Sequence, residues 1–183
     1  MDIEKQLVEQ CKNGDRNAQE KIYALFSRSM YVVCQRYSKS QLEAEDIMQE
    51  SFIKVFKNIE QYRGDSTLGA WVKRIVINTA LNSQRSKLYM FPMTDVKELE
   101  NENDGDFSLS RFHLKELLAM IQSLPEGCQV VFNLFAIEGY SHKEIAEKLH
   151  ISEGTSKSQY SRAKSLLRKM IEHEEKLSYE RAR

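Results

Sequence analysis

Residues 40–62, SQLEAEDIMQESFIKVFKNIEQY, run directly into residues 63–85, RGDSTLGAWVKRIVINTALNSQR. In both segments apolar side chains recur every three or four residues, which is the period of an amphipathic α-helix. The apolar positions are Met48, Phe52, Val55, Phe56 and Ile59, followed by Leu68, Trp71, Val72, Ile75, Val76 and Leu81. A glycine-containing break at 62–65 separates the two patterns. The stretch therefore predicts two consecutive helices, each with one buried face.

The start of each helix has its own signal. Ser40 followed by Glu43 has the spacing of a capping box, so the first helix is predicted to begin after Ser40. Asp65 or Ser66 is the predicted N-cap of the second helix. Trp71 falls on the apolar face of that helix, which favours a place in the core over an exposed stacking surface.

The outer faces of these helices differ in chemistry. The first combines charges with one apolar residue, which indicates a partner interface, although a solvated polar face is the plainer alternative. Its residues are Asp46, Gln49, Glu50, Ile53, Lys54 and Lys57. The second pairs cations that hold phosphates with amides that read base edges, a combination suited to single-stranded nucleic acid. Its residues are Lys73, Arg74, Asn78, Asn82 and Arg85. The loop before this helix contains Arg63, Gly64, Asp65 and Ser66 and could form a pocket for a flipped base.

A second decisive block lies near the end of the chain. Ser141 and Glu144 form another capping-box pattern, His150 and Ile151 make a tight turn, and Ser152 can cap the following helix. This order is typical of a helix-turn-helix, whose second helix meets base edges in the major groove. The predicted outward residues are Thr155, Lys157, Ser158, Gln159, Ser161 and Arg162, with Lys143 placed to hold a phosphate.

Formal net charge over the 183 residues is zero, but charge is segregated along the chain. Residues 63–87 hold five bases and one acid, and residues 141–170 hold seven bases and three acids. Between them, residues 95–106 hold six acids and one base. Two basic blocks that flank an acidic one are compatible with a nucleic-acid-binding protein despite the neutral average.

Helical periodicity fades after Lys87 and returns at Arg111. We therefore predict an all-α protein: two small helical domains joined by a flexible acidic linker, the C-terminal domain being a helix-turn-helix. The predicted boundaries are 1–87, 88–110 and 111–183.

The three cysteines, Cys11, Cys34 and Cys128, are far apart and form no C-x-x-C pair. They are predicted to be small buried hydrophobes rather than disulfide partners or zinc ligands. No phosphate loop, nucleophile–base motif or metal cluster stands out, so no enzyme activity, cofactor, metal or small-molecule substrate is predicted. No signal peptide or long apolar run is visible, which predicts a cytoplasmic protein.

EAEDIMQESFIKVF followed by YRGDSTLGAWVKRIVINTA resembles the core-binding and promoter-melting parts of region two of the extracytoplasmic-function sigma factors. SLPEGCQVVFNLFAIEGYSHKEIAEKLHISEGTSKSQYSRAKSLLRK resembles their region four. The resemblance covers the chain except for the linker and about the last dozen residues. Two blocks in this order are more specific than either alone. The chain departs from the family at Ser156 and Tyr160, where aliphatic residues are usual.

The resemblance implies a sigma factor that binds core RNA polymerase and directs it to promoters. The outer face from Asp46 to Lys57 would dock on the clamp helices of the largest subunit. The loop at Arg63–Leu68 and the helix through Arg85 would melt and read the −10 element as single strand. The residues listed for the helix-turn-helix would read the −35 duplex, and the hairpin from Leu114 to Ile137 would touch the flap of the second-largest subunit.

The resemblance also implies that an anti-sigma factor is a partner of this protein. That partner is either soluble or anchored in a membrane. The alternative function is a conventional helix-turn-helix regulator that binds duplex operator DNA. That alternative explains the C-terminal block but assigns no purpose to residues 40–85.

Overall fold

The computed structural model describes the backbone of residues 3–90 and 113–181. All regular secondary structure within those residues is helical, which confirms the all-α class. The described residues divide into two compact units, with the boundary after residue 85. The helices are α1 Ile3–Lys12, α2 Arg16–Tyr37, α3 Gln41–Lys57 and α4 Leu68–Met90, the last of which begins in the first unit and passes the boundary, then α5 Leu114–Ser123, α6 Glu126–Phe132, α7 His142–Leu149 and α8 Glu153–Arg181 in the second.

Polar side chains cap the N-termini of α2 and α3. Asp15 caps α2, its carboxylate accepting from the Asn17 amide at 2.8 Å. The Ser40 hydroxyl accepts from the Glu43 amide at 3.2 Å, which confirms Ser40 as the N-cap of α3. The Glu43 carboxylate accepts from the Lys39 amide at 2.8 Å, one residue earlier than the usual reciprocal bond of a capping box.

The beginning of α4 differs from the prediction. The helix starts at Leu68, and the Thr67 hydroxyl accepts from the Ala70 amide at 3.3 Å, so Thr67 takes the position predicted for Asp65 or Ser66. The loop is therefore one residue longer than a cap at Ser66 indicated, and two longer than a cap at Asp65. α4 also extends to Met90, into the first residues of the predicted linker. The acidic run at 95–106 lies outside the described residues.

The inner face of α4 forms much of the first core. Leu68, Val72 and Val76 are completely buried, and Trp71 is buried against the ring of Tyr62, which confirms its predicted core position. A methyl group added at Gly69 would lie 3.1 Å from the Phe26 ring. Glycine at this position allows α4 to approach α2 closely.

The second unit packs α5, α6 and α8 around one apolar cluster. α6 continues into a π-helical turn, Asn133–Ile137, that periodicity did not predict. The side-chain amide of Asn133 donates to the backbone carbonyl of Gln129 at 2.9 Å, at the start of this widened turn. The buried cluster comprises Met120, Ile121, Leu124, Cys128, Phe132, Ala163, Leu167 and Ile171.

The cysteines behave as hydrophobes. Cys11, Cys34 and Cys128 are all buried and none forms a disulfide, which confirms their predicted structural role. Burial raises the pKa of the Cys34 thiol to about 12, so its reactive thiolate form is strongly disfavoured. Among the described helices, none is both long and apolar enough to cross a membrane.

Leu68→Ala is expected to lower the free energy of unfolding of the first unit by about 2–5 kcal/mol, because it opens a cavity at a completely buried site. Leu25→Ala is the matched control, since Leu25 is 55% exposed and should change stability by less than about 0.5 kcal/mol. Trp71, the only tryptophan of the chain, reports unfolding of this unit through its fluorescence in urea. Equal losses in both variants would contradict the described packing.

Candidate nucleic-acid and protein interfaces

The residues predicted for partner binding share the solvent-facing side of α3, here called the α3 outer face. Ile53 is 66% exposed, a large apolar side chain among charges. Leu42, which is 68% exposed and lies one helical turn before Asp46, extends this face. The sequence analysis did not include Leu42 in the face because it lies at the start of the helix. Asp46, Gln49, Glu50 and Lys57 are also exposed.

Lys54 is the half-buried member of this face and connects it to α4. Its ammonium group lies 2.7 Å from the Glu50 carboxylate and 3.4 Å from the hydroxyl of Thr79, a buried residue of α4. The ion pair is solvent-exposed and contributes little stability by itself. The contact with Thr79 places the outer face of α3 in a fixed relation to α4.

The loop between α3 and α4 presents Arg63, Gly64, Asp65 and Ser66 to solvent. Gly64 has φ of +83°, a left-handed conformation that glycine adopts at little cost. The Tyr62 hydroxyl donates to the Ser66 carbonyl at 2.7 Å across the loop. No periodic pattern in the sequence signals this contact, so sequence reasoning missed it.

The predicted nucleic-acid residues of α4 lie together on its solvent side. Arg74, Asn78 and Asn82 are exposed and follow one another at four-residue spacing, which aligns them along one stripe. Lys73 is half-buried beside this stripe. The helix backbone includes Arg85, whose side chain lies outside the described residues. The stripe thus combines a cation with two amides, and the exposed loop precedes it.

The helix-turn-helix is formed by α7 and α8. Ser141 and Glu144 make the reciprocal capping box at the start of α7, and hydrogen bonds from Ser141 lower the pKa of the Glu144 carboxyl. His150 ends the helix in the left-handed conformation, φ +56°. The Ser152 hydroxyl accepts from the Thr155 amide at 2.9 Å, which confirms Ser152 as a cap of α8.

The outer surface of α8 carries four of the predicted DNA contacts. Lys157 and Arg162 are exposed, and Ser158 and Ser161 are half-exposed between them. Positions 157 and 161, like 158 and 162, are four residues apart, so the four side chains form one patch. Lys143 is exposed on α7.

The predicted outward orientation is wrong for Thr155 and Gln159. Thr155 is only 6% exposed, and its hydroxyl lies 2.9 Å from that of Ser152 at the helix start. Gln159 is 5% exposed, and its carbonyl oxygen accepts from the Cys128 thiol at 3.1 Å. The buried face of α8 is therefore wider than an apolar pattern indicates, because polar side chains with buried partners also belong to it.

A polar contact joins the start of α7 to the first turn of α8. His142 Nδ1 lies 2.9 Å from the hydroxyl of the fully buried Ser156, and its ring stacks on Phe135 at 4.2 Å between centroids. Tyr160 packs against the Phe135 ring at 4.5 Å. Burial, and then the nearby charge of Lys157, lowers the pKa of His142. Sequence reasoning gave His142 no role.

Within residues 3–90 and 113–181, no three histidine, cysteine or acidic side chains gather as a metal site would require. The arrangement instead offers three surfaces for macromolecules: the α3 outer face, the loop with the α4 stripe, and the α8 patch.

Comparison with known proteins gives a consistent result. Residues 22–88 match the family model for sigma-70 region 2, and residues 114–167 match that for sigma-70 region 4. The chain is 30% identical over 173 residues to an ECF RNA polymerase sigma-E factor of Escherichia coli K12, covering 88% of this chain and 90% of that one. It is 29% identical over 181 residues to an RNA polymerase sigma-H factor of Pseudomonas aeruginosa, covering 92% and 94%.

Two solved structures share the fold. One is CnrH in complex with the cytosolic domain of CnrY, with a TM-score of 0.51 and 20% identity over 94% of this chain and 99% of that one. The other is the sigma factor RpoE of Bartonella quintana with the anti-sigma factor NepR, with a TM-score of 0.52 and 20% identity over 84% and 96%. At this identity the likeness concerns the fold alone.

The lowered pKa of His142 predicts that acidification destabilises the C-terminal helices. The unfolded chain takes up the proton first, so stability present at neutral pH is lost as the pH falls through the ordinary and then the lowered pKa. His142→Phe, which keeps a stacking ring, should weaken this dependence as the pH falls below the ordinary histidine pKa of about 6.5, in urea unfolding followed by far-UV circular dichroism. His173→Phe, at an exposed position, is the control. An unchanged dependence in His142→Phe would contradict the assignment.

Proposed function

The chain belongs to the extracytoplasmic-function subfamily of sigma-70 factors, and from this premise we propose how its surfaces divide the work of initiation. It is an alternative sigma factor that directs promoter-specific transcription. The observation that carries the proposal is the presence of all three surfaces in the family's order on one chain: the α3 outer face, the loop with the α4 stripe, and the α8 patch.

The α3 outer face is the proposed docking surface for the clamp helices of the largest polymerase subunit. A protein interface is favoured by an apolar anchor surrounded by polar residues, and Ile53 with its charged neighbours has that composition. Asp46, Gln49, Glu50, Lys54 and Lys57 form the rim. The connection of Lys54 to Thr79 would keep this face rigid while the neighbouring surface binds DNA.

The loop and the α4 stripe are the proposed reader of the melted −10 strand. Arg74 would hold the backbone, while Asn78 and Asn82 present amides that donate to and accept from base edges. Arg63, Gly64, Asp65 and Ser66 are exposed at the entrance of the stripe, where a base removed from the duplex would lie. Lys73 and Arg85 complete the proposed set.

The α8 patch is the proposed reader of the −35 duplex. Its residues occupy the first three turns of a recognition helix, the part that meets base edges in the major groove. Lys157 and Arg162 would donate hydrogen bonds to guanine or phosphate, and the hydroxyls of Ser158 and Ser161 would form hydrogen bonds with either group. Lys143 would hold a phosphate. Because Thr155 and Gln159 are buried, their proposed contribution is to hold the helix that carries the patch.

Further partners follow from the relatives. The hairpin of α5 and α6 is the proposed contact with the flap of the second-largest subunit, and the acidic segment at 88–110 is the proposed tether along the core. RpoE was solved with the anti-sigma factor NepR, and CnrH with the cytosolic domain of CnrY, and we infer an anti-sigma factor for the present chain. As a sigma factor it would perform no catalysis itself and would act in the cytoplasm, where the polymerase works.

The function is tested by sequencing the RNA that a bacterial core polymerase makes, with and without this protein, on genomic DNA of the bacterium that encodes it. New transcripts should begin at discrete positions preceded by two shared elements. If no new transcript appears and the protein alone binds duplex DNA tightly, the chain is a conventional helix-turn-helix regulator.

Lys157→Ala or Arg162→Ala should weaken holoenzyme binding to the −35 duplex of such a promoter by about 1–3 kcal/mol, because each removes one contact from the α8 patch. Binding to core polymerase should be unchanged. Lys169→Ala, which removes an exposed lysine farther along α8, is the matched control. Band shifts on a −35 duplex and core co-elution give the two readouts, and parallel loss of both would refute the division of labour.

Asn78→Ala and Asn82→Ala should impair promoter opening more than initial binding, because their amides meet bases only after the strands separate. Permanganate reactivity of unpaired thymines measures opening, and filter binding of the closed complex measures the first step. Asn17→Ala, at an exposed position near the start of α2, serves as the control. Wild-type permanganate patterns in both variants would count against the α4 stripe.

A further inference from the structure

A hydrogen bond from the Tyr62 hydroxyl to the Ser66 carbonyl spans the loop of the proposed −10 surface. We infer that Tyr62 is a positioning residue for the −10 strand, acting through its hydrogen bond to the loop backbone. The inference rests on the proposed function of this loop. It concerns a residue outside the predicted DNA-binding set, whose half-buried ring packs on Trp71.

Both ends of the loop are anchored to the first unit. On one side a 3₁₀ turn at Ile59–Gln61 buries Ile59, and the Tyr62 amide donates to the Ile59 carbonyl at 3.1 Å. On the other side Thr67 caps α4 and the next residue, Leu68, is completely buried. The exposed segment 63–66 is thus short and has two fixed ends.

Tyr62 links the two ends of this segment. Its ring packs on Trp71 of the core, with 5.5 Å between centroids, which fixes the direction of the phenol. Its hydroxyl donates to the Ser66 carbonyl at 2.7 Å and so closes the loop over four residues. Gly64 provides the left-handed turn at φ +83°, and a methyl group added there would meet no atom within 4 Å. Space around the turn is therefore open, and the hydroxyl bond limits its movement.

A loop held in this way presents its backbone and side chains to DNA in a fixed arrangement. Without the bond, part of the binding energy would be used to order residues 63–66, so affinity and base selectivity would both fall. Tyr62→Phe removes the hydroxyl and keeps the ring on Trp71, which separates the role of the bond from that of the core. Tyr23→Phe, which removes a hydroxyl from a ring packed on Phe52, is the matched control.

The first test measures hydrogen exchange of the full-length protein without DNA. The amides of Tyr62 and Ala70, which are hydrogen-bonded at the two ends of the loop, should exchange several-fold faster in Tyr62→Phe than in the wild type, while amides of α2 and α3 stay unchanged. Tyr23→Phe should leave these two amides unaffected. Equal exchange of both amides in wild type and Tyr62→Phe would overturn the inference.

The second test uses holoenzyme made with core polymerase and a pool of single-stranded DNA carrying a randomised hexamer. The wild type should enrich particular hexamers, and Tyr62→Phe should bind the enriched ones about three- to tenfold more weakly, as loss of one hydrogen bond predicts. Its binding to core polymerase and to −35 duplex should be unchanged. If the wild type enriches nothing, the proposed −10 function fails together with the inference; if Tyr62→Phe matches the wild type, the inference alone fails.

Discussion

α4 buries Leu68, Val72 and Val76 completely, and Trp71 lies among them against Tyr62. Because one helix has a fixed period, burial of this face forces the stripe of Arg74 and the two asparagines toward solvent. The same core holds the loop before α4 and, through Lys54 and Thr79, the neighbouring α3 outer face. Both proposed surfaces of the first unit thus depend on the packing of a single helix face.

The recognition helix is positioned by polar as well as apolar contacts. Ser156 and Tyr160 on α8 meet His142 and Phe135. A hydrogen bond and packed rings therefore join the recognition helix to its neighbours at these two positions. Directional contacts of this kind restrict the orientation of α8 and make the unit sensitive to the protonation of one histidine.

Periodicity predicted the helices, the buried position of Trp71 and the exposed α4 stripe, because these follow from which face of a helix is apolar. It failed at Thr155 and Gln159, whose burial depends on partners at Ser152 and Cys128. The hydroxyl bond of Tyr62 and the π-helical turn after α6 are likewise tertiary or backbone details without a repeating signal. To predict them one must know where the contacting residues lie in the fold, and a single sequence does not contain that information.

Co-elution with bacterial core RNA polymerase shows whether the core-docking face on α3 is separate from the DNA-reading surfaces. The wild type should co-elute, and an Ile53→Glu, Glu50→Lys variant should not, because it places charge at the apolar anchor and reverses its rim. Leu25→Glu, at an exposed apolar position on α2, should bind as the wild type does. Co-elution of the double variant at wild-type affinity would contradict the account.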